Sequence, residues 1–248
     1  HNAHELFANS NPNNAADTPK ISDWGMIQGS ASHRAYQPLM LNSANFELRW
    51  TTSWKNALNS SIATGQGKVY FNDGASIVAL TAGTGELTWS YPMPGASPSF
   101  SANKVYGHIG GHEATSFVGL DAVSGARKLS SWHGSQWANY GAPTIYDGHA
   151  YVNGGYYGGL IAFNATTGAM EWQIEPPAVE WEDLWEPAVN DQAIYVVAQK
   201  QLRALSRTDG SLLFAIDSSE AITAQTPVID SNGNVLAKGN RITSFDVV

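Results

Sequence analysis

The chain has 248 residues, of which 43% are hydrophobic, and it carries 13 basic against 21 acidic side chains for a formal net charge of −8. That balance argues against a nucleic-acid grip, which needs clustered Lys and Arg to neutralise phosphates, and against an anionic membrane surface. Cysteine is absent, which removes disulfides, thiolate nucleophiles and Cys-based metal sites, and no apolar run approaches the roughly 18 to 20 residues needed to insert across a bilayer.

Residues 1 to 23, rich in Asn, Ala and Ser, read as an arm or tail ahead of a single domain over residues 24–248. The chain opens on His1 and not on Met, so a mature secreted protein, a trimmed chain and a fragment all stay open. His1 and His4 could hold copper through a free α-amine only if His1 is the mature terminus. Further on, one phrase returns at near-constant spacing. Val78-Ala-Leu80 to Gly85 and Trp89 is echoed by Val118-Gly-Leu120 to Gly125 and Leu129, by Ile161-Ala-Phe163 to Gly168 and Trp172, and by Arg203-Ala-Leu205 to Gly210 and Phe214. The pivots Leu80, Leu120, Phe163, Leu205 and Phe245 lie 40, 43, 42 and 40 residues apart.

Each unit starts with a short apolar stretch after Pro, as in Pro98-Ser-Phe100, Pro143-Thr-Ile145, Pro187-Ala-Val189 and Pro227-Val-Ile229. A second strand follows with Val-Tyr or Ile-Tyr at its centre, as at Tyr70, Tyr106 and Tyr195. The third strand carries the pivot, a turn ends on Gly where a positive φ is required, and the fourth strand brings the Trp or its substitute. Four short strands repeating at about 40 residues predict an all-β fold, a β-propeller of four-stranded antiparallel blades. Five blades are expected. The last unit has only three strands, and Glu47-Leu48-Arg49-Trp50, which reads like Glu86-Leu87-Thr88-Trp89, is expected to close the ring by pairing beside Phe245. The alternative is a fragment of a seven- or eight-bladed ring, with Leu39-Met40-Leu41 as the relic of another blade.

The grammar of Val-Tyr, Ala-Leu, Asp-Ala-x-x-Gly and Trp resembles the quinoprotein-type (PQQ-like) propeller repeat, shared by quinoprotein alcohol dehydrogenases and the BamB-type outer-membrane assembly lipoprotein. The opening Asp23-Trp24-Gly-Met-Ile-Gln-Gly-Ser-Ala-Ser-His33 is also similar to that group. The resemblance covers residues 22–248 and implies the fold. For activity, quinone-using relatives carry a vicinal Cys pair over the cofactor and a Glu, Asn and Asp set for calcium; this chain has no Cys and no motif placing that set.

In a propeller the second-to-third-strand loops and the blade-to-blade connections share one face. Here that face is expected to gather Trp54, Trp132, His133, Trp137, Tyr140, Tyr156, Tyr157, Trp181, Glu182, Asp183 and Trp185 as ligand-binding residues. Aromatic planes beside carboxylates suit a sugar ring or a protein hot spot; the competing structural role is packing of loops onto blades. His108, His112 and Glu113 are candidate metal ligands, with a third imidazole from His133, although i and i+4 do not share a face on a hairpin loop. The carboxylates of Glu180 to Glu186 are neighbours on one loop, a poor arrangement for the facing pair of a glycosidase. Gly154-Gly-Tyr-Tyr-Gly158-Gly159 lacks the helix that a phosphate loop requires. Asn59 and Asn164 head glycosylation triplets.

These residues point to a non-catalytic, exported recognition module, secreted or periplasmic, that binds a glycan in lectin fashion or a protein partner, with no resident cofactor. A quinone- or metal-dependent oxidoreductase using PQQ, calcium, zinc or copper is one alternative. An envelope scaffold protein is another.

Overall fold

Alternating small and bulky residues in each repeat build an up-and-down sheet whose two faces pack against the neighbouring repeats. The computed structural model describes residues 23–37, 47–54, 60–110, 115–135, 141–154, 158–175, 185–198, 200–218, 222, 226–239 and 241–246. Blade 1 comprises β1 (Ala63–Gly65), β2 (Lys68–Asn72), β3 (Ser76–Thr81) and β4 (Leu87–Pro92), in that spatial order. Blade 2 is β5 (Ser99–Ser101), β6 (Lys104–Ile109), β7 (Thr115–Asp121) and β8 (Arg127–His133); blade 3 is β9 (Thr144–Tyr146), β10 (His149–Asn153), β11 (Leu160–Asn164) and β12 (Met170–Ile174). Blade 4 is β13 (Ala188–Val189), β14 (Ile194–Ala198), β15 (Gln201–Leu205) and β16 (Leu212–Asp217). The fifth described sheet has three strands, β17 (Val228–Ile229), β18 (Val235–Lys238) and β19 (Ile242–Phe245). All pairings are antiparallel, and the first strands of successive blades adjoin one another from β1 through β5, β9 and β13 to β17.

The recurring phrase encodes how one blade holds the next. In blades 1 to 4 the register shifts by a bulge just before the pivot, between Ala79 and Leu80, Gly119 and Leu120, Ala162 and Phe163, and Ala204 and Leu205. Beyond it the turn glycine takes a positive φ, and the Trp of the preceding blade lies against its bare Cα. A Cβ on Gly125 would come within 2.7 Å of the Trp89 indole, and one on Gly85 within 2.7 Å of Trp50. Each indole N–H donates to a carbonyl of the same turn: Trp50 to Ala82 (2.9 Å), Trp89 to Ala122 (3.1 Å) and Trp172 to Arg207 (3.1 Å). The second-strand tyrosines reinforce this, Tyr70 donating to Ala122 (3.2 Å) and Tyr106 to Ala165 (2.9 Å). In blade 2 Leu129 replaces the Trp, and the Ser131 hydroxyl donates to the Gly168 carbonyl instead.

The apolar core therefore lies between blades. One cluster joins Tyr70, Trp89 and Phe100; a second joins Tyr106, Phe117 and Phe163; a third joins Tyr151, Leu160 and Ile194; a fourth joins Tyr195, Leu202 and Phe245. A smaller one covers the far face of blade 1, where Trp50 and Trp54 pack against Phe71, Val78 and Leu80.

Glu47–Trp50 was expected to complete the fifth sheet. The structure gives these residues no strand, and among the described residues β19 pairs with β18 alone. The likeness of Glu47–Trp50 to Glu86–Trp89 has another cause: both tryptophans dock on a turn glycine, Trp50 on Gly85 and Trp89 on Gly125.

Residues 24–33 run along the inner edges of all five sheets. The Thr64 amide of β1 donates to the Trp24 carbonyl (2.7 Å), the Phe100 amide of β5 to Gly25, and the Ile145 amide of β9 to Met26 Sδ (3.1 Å). The Val189 amide of β13 donates to Ala31 (2.8 Å) and the Ile229 amide of β17 to Ser32 (2.9 Å). One segment thus satisfies an inward-facing donor in every innermost strand, groups that would otherwise need water or a ligand.

Candidate functional site

Strand order places the first-to-second and third-to-fourth turns on one face and the longer connections on the other. On the connection face, Trp132 at the end of β8 is 62% exposed. Trp54 is half-buried and meets Phe71 edge-on, ring centroids 5.1 Å apart, so it packs blade 1. Trp185, expected on the binding surface, is corrected to a core residue. It is 2% exposed and packs with Tyr151, Leu160 and Val189. His133 is likewise buried, against Phe163 and His108. Trp137, Tyr140, Tyr156, Tyr157, Trp181, Glu182 and Asp183 lie outside the described residues.

Of the proposed metal ligands, His112 and Glu113 also lie outside them. His108 and His133 lie at the ends of β6 and β8 on either side of β7, with ring centroids 5.6 Å apart and planes nearly perpendicular. Both are buried. Burial holds the His133 imidazole down at about 4, and burial plus the neighbouring imidazole pushes His108 well below the usual histidine range. Among the described residues no group of three His, Cys, Asp or Glu side chains could hold a metal ion.

At the same end of the channel Glu186 is buried and fastens three blades. Its carboxylate accepts from the Ala142 amide (3.1 Å) and the Thr226 hydroxyl (2.5 Å), while its own amide donates to Thr226 Oγ1 (3.0 Å). Burial raises its pKa and those hydrogen bonds oppose the rise. This carboxylate, one of the Glu180 to Glu186 run, is a joint between connections.

The opposite face holds a feature that the sequence reading did not single out. Between blades 3 and 4 lies a groove of about 630 Å³, lined by His149, Glu171, Asp191, Arg207, Thr208 and Leu213 among others. Arg207 is its hub: it bonds Asp147 (2.7 Å) and the Asp191 carbonyl (3.2 Å), and stacks over the Tyr146 ring at 5.0 Å. The Tyr146 hydroxyl donates to Asp191 (2.8 Å), and His149 Nδ1 lies 2.6 Å from a Glu171 carboxylate oxygen. A signal for it existed. The turn position filled by Ala82, Ala122 and Ala165 in three repeats is Arg207 in the fourth.

Repeat, bulge and indole docking together define a β-propeller of the PQQ-like repeat class. The chain belongs to the family described as outer membrane protein assembly factor BamB, whose model matches residues 40–144 and 135–247. Among solved structures it is similar to BamB from Moraxella catarrhalis, with 18% identity over 80% of this chain and 61% of that one and a TM-score of 0.58. It is also similar to the quinohemoprotein alcohol dehydrogenase of Comamonas testosteroni, at 16% identity over 90% of this chain and 47% of that one, TM-score 0.66. A europium-containing methanol dehydrogenase matches at 14% identity over 72% of this chain and 51% of that one, TM-score 0.54. The chain thus spans 61%, 47% and 51% of the lengths of these three proteins. At such identities the likeness concerns the fold. A sequence comparison with curated proteins found no match.

Two of these similar structures are cofactor enzymes by name. One channel-facing amide of each innermost strand is taken by residues 24–32, and no three potential metal ligands converge among the described side chains.

Proposed function

We propose that this protein is a non-catalytic interaction module acting outside the cytoplasm, and that its ligand is a partner protein. The observation that carries the reading is the distribution of exposed apolar side chains along the outer strands of the blades: Leu87 on β4, Trp132 on β8, Met170 on β12 and Leu212 to Phe214 on β16. Outer strands need little apolar surface to hold a blade in place, whereas a protein contact draws its energy from such groups. Membership of a family named for an assembly factor supports the same reading and the extracytoplasmic setting. Among the described residues no helix is long and apolar enough to cross a membrane.

A glycan ligand is the second reading, favoured by the exposed Trp132 indole, whose plane suits the C–H face of a sugar. Affinity capture from an envelope fraction, run beside a glycan array, separates the two. The protein reading expects a partner that also binds in purified form and is lost on Trp132→Ala or Leu213→Lys, with a blank array. An array signal that Trp132→Ala abolishes, with no purified partner, would replace it by the lectin reading.

A further inference from the structure

Resting on the protein-partner reading, we infer that β16 and the adjoining groove form a docking site for an extended segment of the partner, which adds as a strand to the outer edge of blade 4 and lays a Lys or Arg side chain into the groove. Every complete blade ends in an outer edge strand, but these edges are protected to different degrees. β4 ends in the exposed Pro92, which has no N–H to offer a further strand; β8 begins with exposed Arg127 and Lys128; and β12 has Glu171 beside exposed Met170. Prolines and charges of this kind are the usual devices that keep an edge from pairing. β16 has none until its final residue: Leu212-Leu213-Phe214-Ala215-Ile216 precede Asp217, and 212 to 215 are all exposed.

Successive residues of a strand point to opposite faces, so exposure of Leu212, Leu213 and Phe214 at 54%, 53% and 37% means that both faces of this edge are open. On its inner side β16 pairs with β15, and no described strand pairs with its outer side. Phe214 occupies the position that in blades 1 and 3 is an indole docked on the next blade's turn, Trp89 against Gly125 and Trp172 against Gly210. It is the least covered of the four side chains at that position.

Charge sets the chemistry of the occupant. Leu213 belongs to both the edge and the groove, so a strand laid along β16 passes beside the groove. Glu171 and Asp191 line it beside Arg207 and His149; His149 is paired with Glu171, and Asp147, at the groove's margin, is paired with Arg207. Arg207 is committed to Asp147, to the Asp191 carbonyl and to the Tyr146 ring, whereas the Asp191 side chain is 91% exposed, accepts the Tyr146 proton and lies 4.0 Å from the Arg207 guanidinium. The exposed Asp191 carboxylate, in a chain of net charge −8, is the group there most open to a further donor, which favours a cationic side chain over an acidic one. Main-chain bonds along the edge supply register, alternate apolar residues supply contact, and the basic residue selects the segment.

The test is selection of a random twelve-residue peptide library on the whole protein, with anisotropy titration of the enriched peptides. Enriched peptides should alternate apolar residues and carry a Lys or Arg, and Leu213→Lys should weaken them by about tenfold or more through charge on the edge. Asp191→Asn with Glu171→Gln should weaken the same peptides several-fold and lower their salt dependence, and leave unchanged a peptide whose basic residue is replaced by Gln. Circular dichroism and the urea midpoint of each variant should match the parent. No enrichment, enrichment without basic residues, or binding indifferent to Leu213→Lys overturns the inference, as does a concentration-dependent dimer that Leu213→Lys dissolves. Peptides displaced by Trp132→Ala but not by Leu213→Lys would sink this site and leave the protein-partner reading standing; a glycan signal in their place would remove both.

Discussion

The contact between an indole and a turn glycine can be weighed by comparing two alanine substitutions that share a backbone conformation and differ in surroundings. Gly67 and Gly125 have φ of +69° and +73°, but an added Cβ meets nothing within 4 Å at Gly67 and lies 2.7 Å from the Trp89 ring at Gly125. Left-handed backbone costs an L-residue about 1–2 kcal/mol, and alanine regains about 0.4–1 kcal/mol by stiffening the unfolded chain, so Gly67→Ala should destabilise by about 1 kcal/mol. Gly125→Ala carries the same cost and also pushes the indole outward. Overpacking of this kind adds about 1–3 kcal/mol, and disturbing the bond from Trp89 Nε1 to the Ala122 carbonyl adds up to about 1 kcal/mol, for a total near 3 kcal/mol. Urea unfolding followed by far-ultraviolet circular dichroism measures both. A double-mutant cycle closes the test: in a Trp89→Ala background, itself about 3–5 kcal/mol less stable, Gly125→Ala should cost no more than Gly67→Ala. Equal effects of the two single substitutions, or a Gly125→Ala cost that survives removal of the indole, would refute the docking account.

Acid should weaken the fold well above the carboxylate range. His33 and His133 are buried and held down at about 4, so they stay neutral in the native state while the unfolded chain binds protons near 6.5; stability is lost as pH falls from about 6.5 toward 4, by up to about 3 kcal/mol for each. His33→Gln should remove one histidine's share of that slope between pH 7 and 4.5, read from urea midpoints. For the channel segment, a side chain at Gly25 would meet the Phe100 carbonyl oxygen at 2.5 Å, and Gly25→Val should accelerate amide exchange at Phe100 and at the other amides bonded to the segment, Thr64 and Val189, together; acceleration confined to Phe100 would show that the segment does not act as one strap. Trp185→Ala should cost about 3–5 kcal/mol while Trp132→Ala stays within about 0.5 kcal/mol, a contrast that thermal melts of the two variants would check.

The architecture was legible because it is written several times over. Period, second-strand tyrosine and turn glycine each recur, and the recurrences report inter-blade contacts at the turn, such as Tyr70 and Trp89 meeting at the Ala122 carbonyl. The same redundancy misled at the ring's edge. Trp50 was read as part of a closing strand because its neighbours copy those of Trp89, yet what the two share is a glycine to rest on, and docking by itself does not require strand pairing. The passage of residues 24–33 across five inner strands has no repeat to announce it, since its bonds come from main-chain carbonyls and one Met sulfur, with little demand on side-chain identity.

Binding residues were harder to read for a related physical reason. An indole in a connection looks the same in sequence whether it ends in water, as Trp132 does, or in the core, as Trp185 does; the difference lies in what it packs against, which for Trp185 is Tyr151, Leu160 and Val189 from two blades. Residues that obey the repeat are occupied in stacking blades, and their chemistry is spent on neighbours within the ring. Recognition falls to positions where a repeat departs from its own pattern without losing its fold. Arg207 stands where three other blades have Ala and gathers Asp147, Asp191 and Tyr146 around itself. Phe214 stands in an indole's place without its cover, on the strand that has the least protection against a further strand. Both departures belong to blade 4 and flank one groove, which is why a partner would be sought there before the face richest in tryptophan.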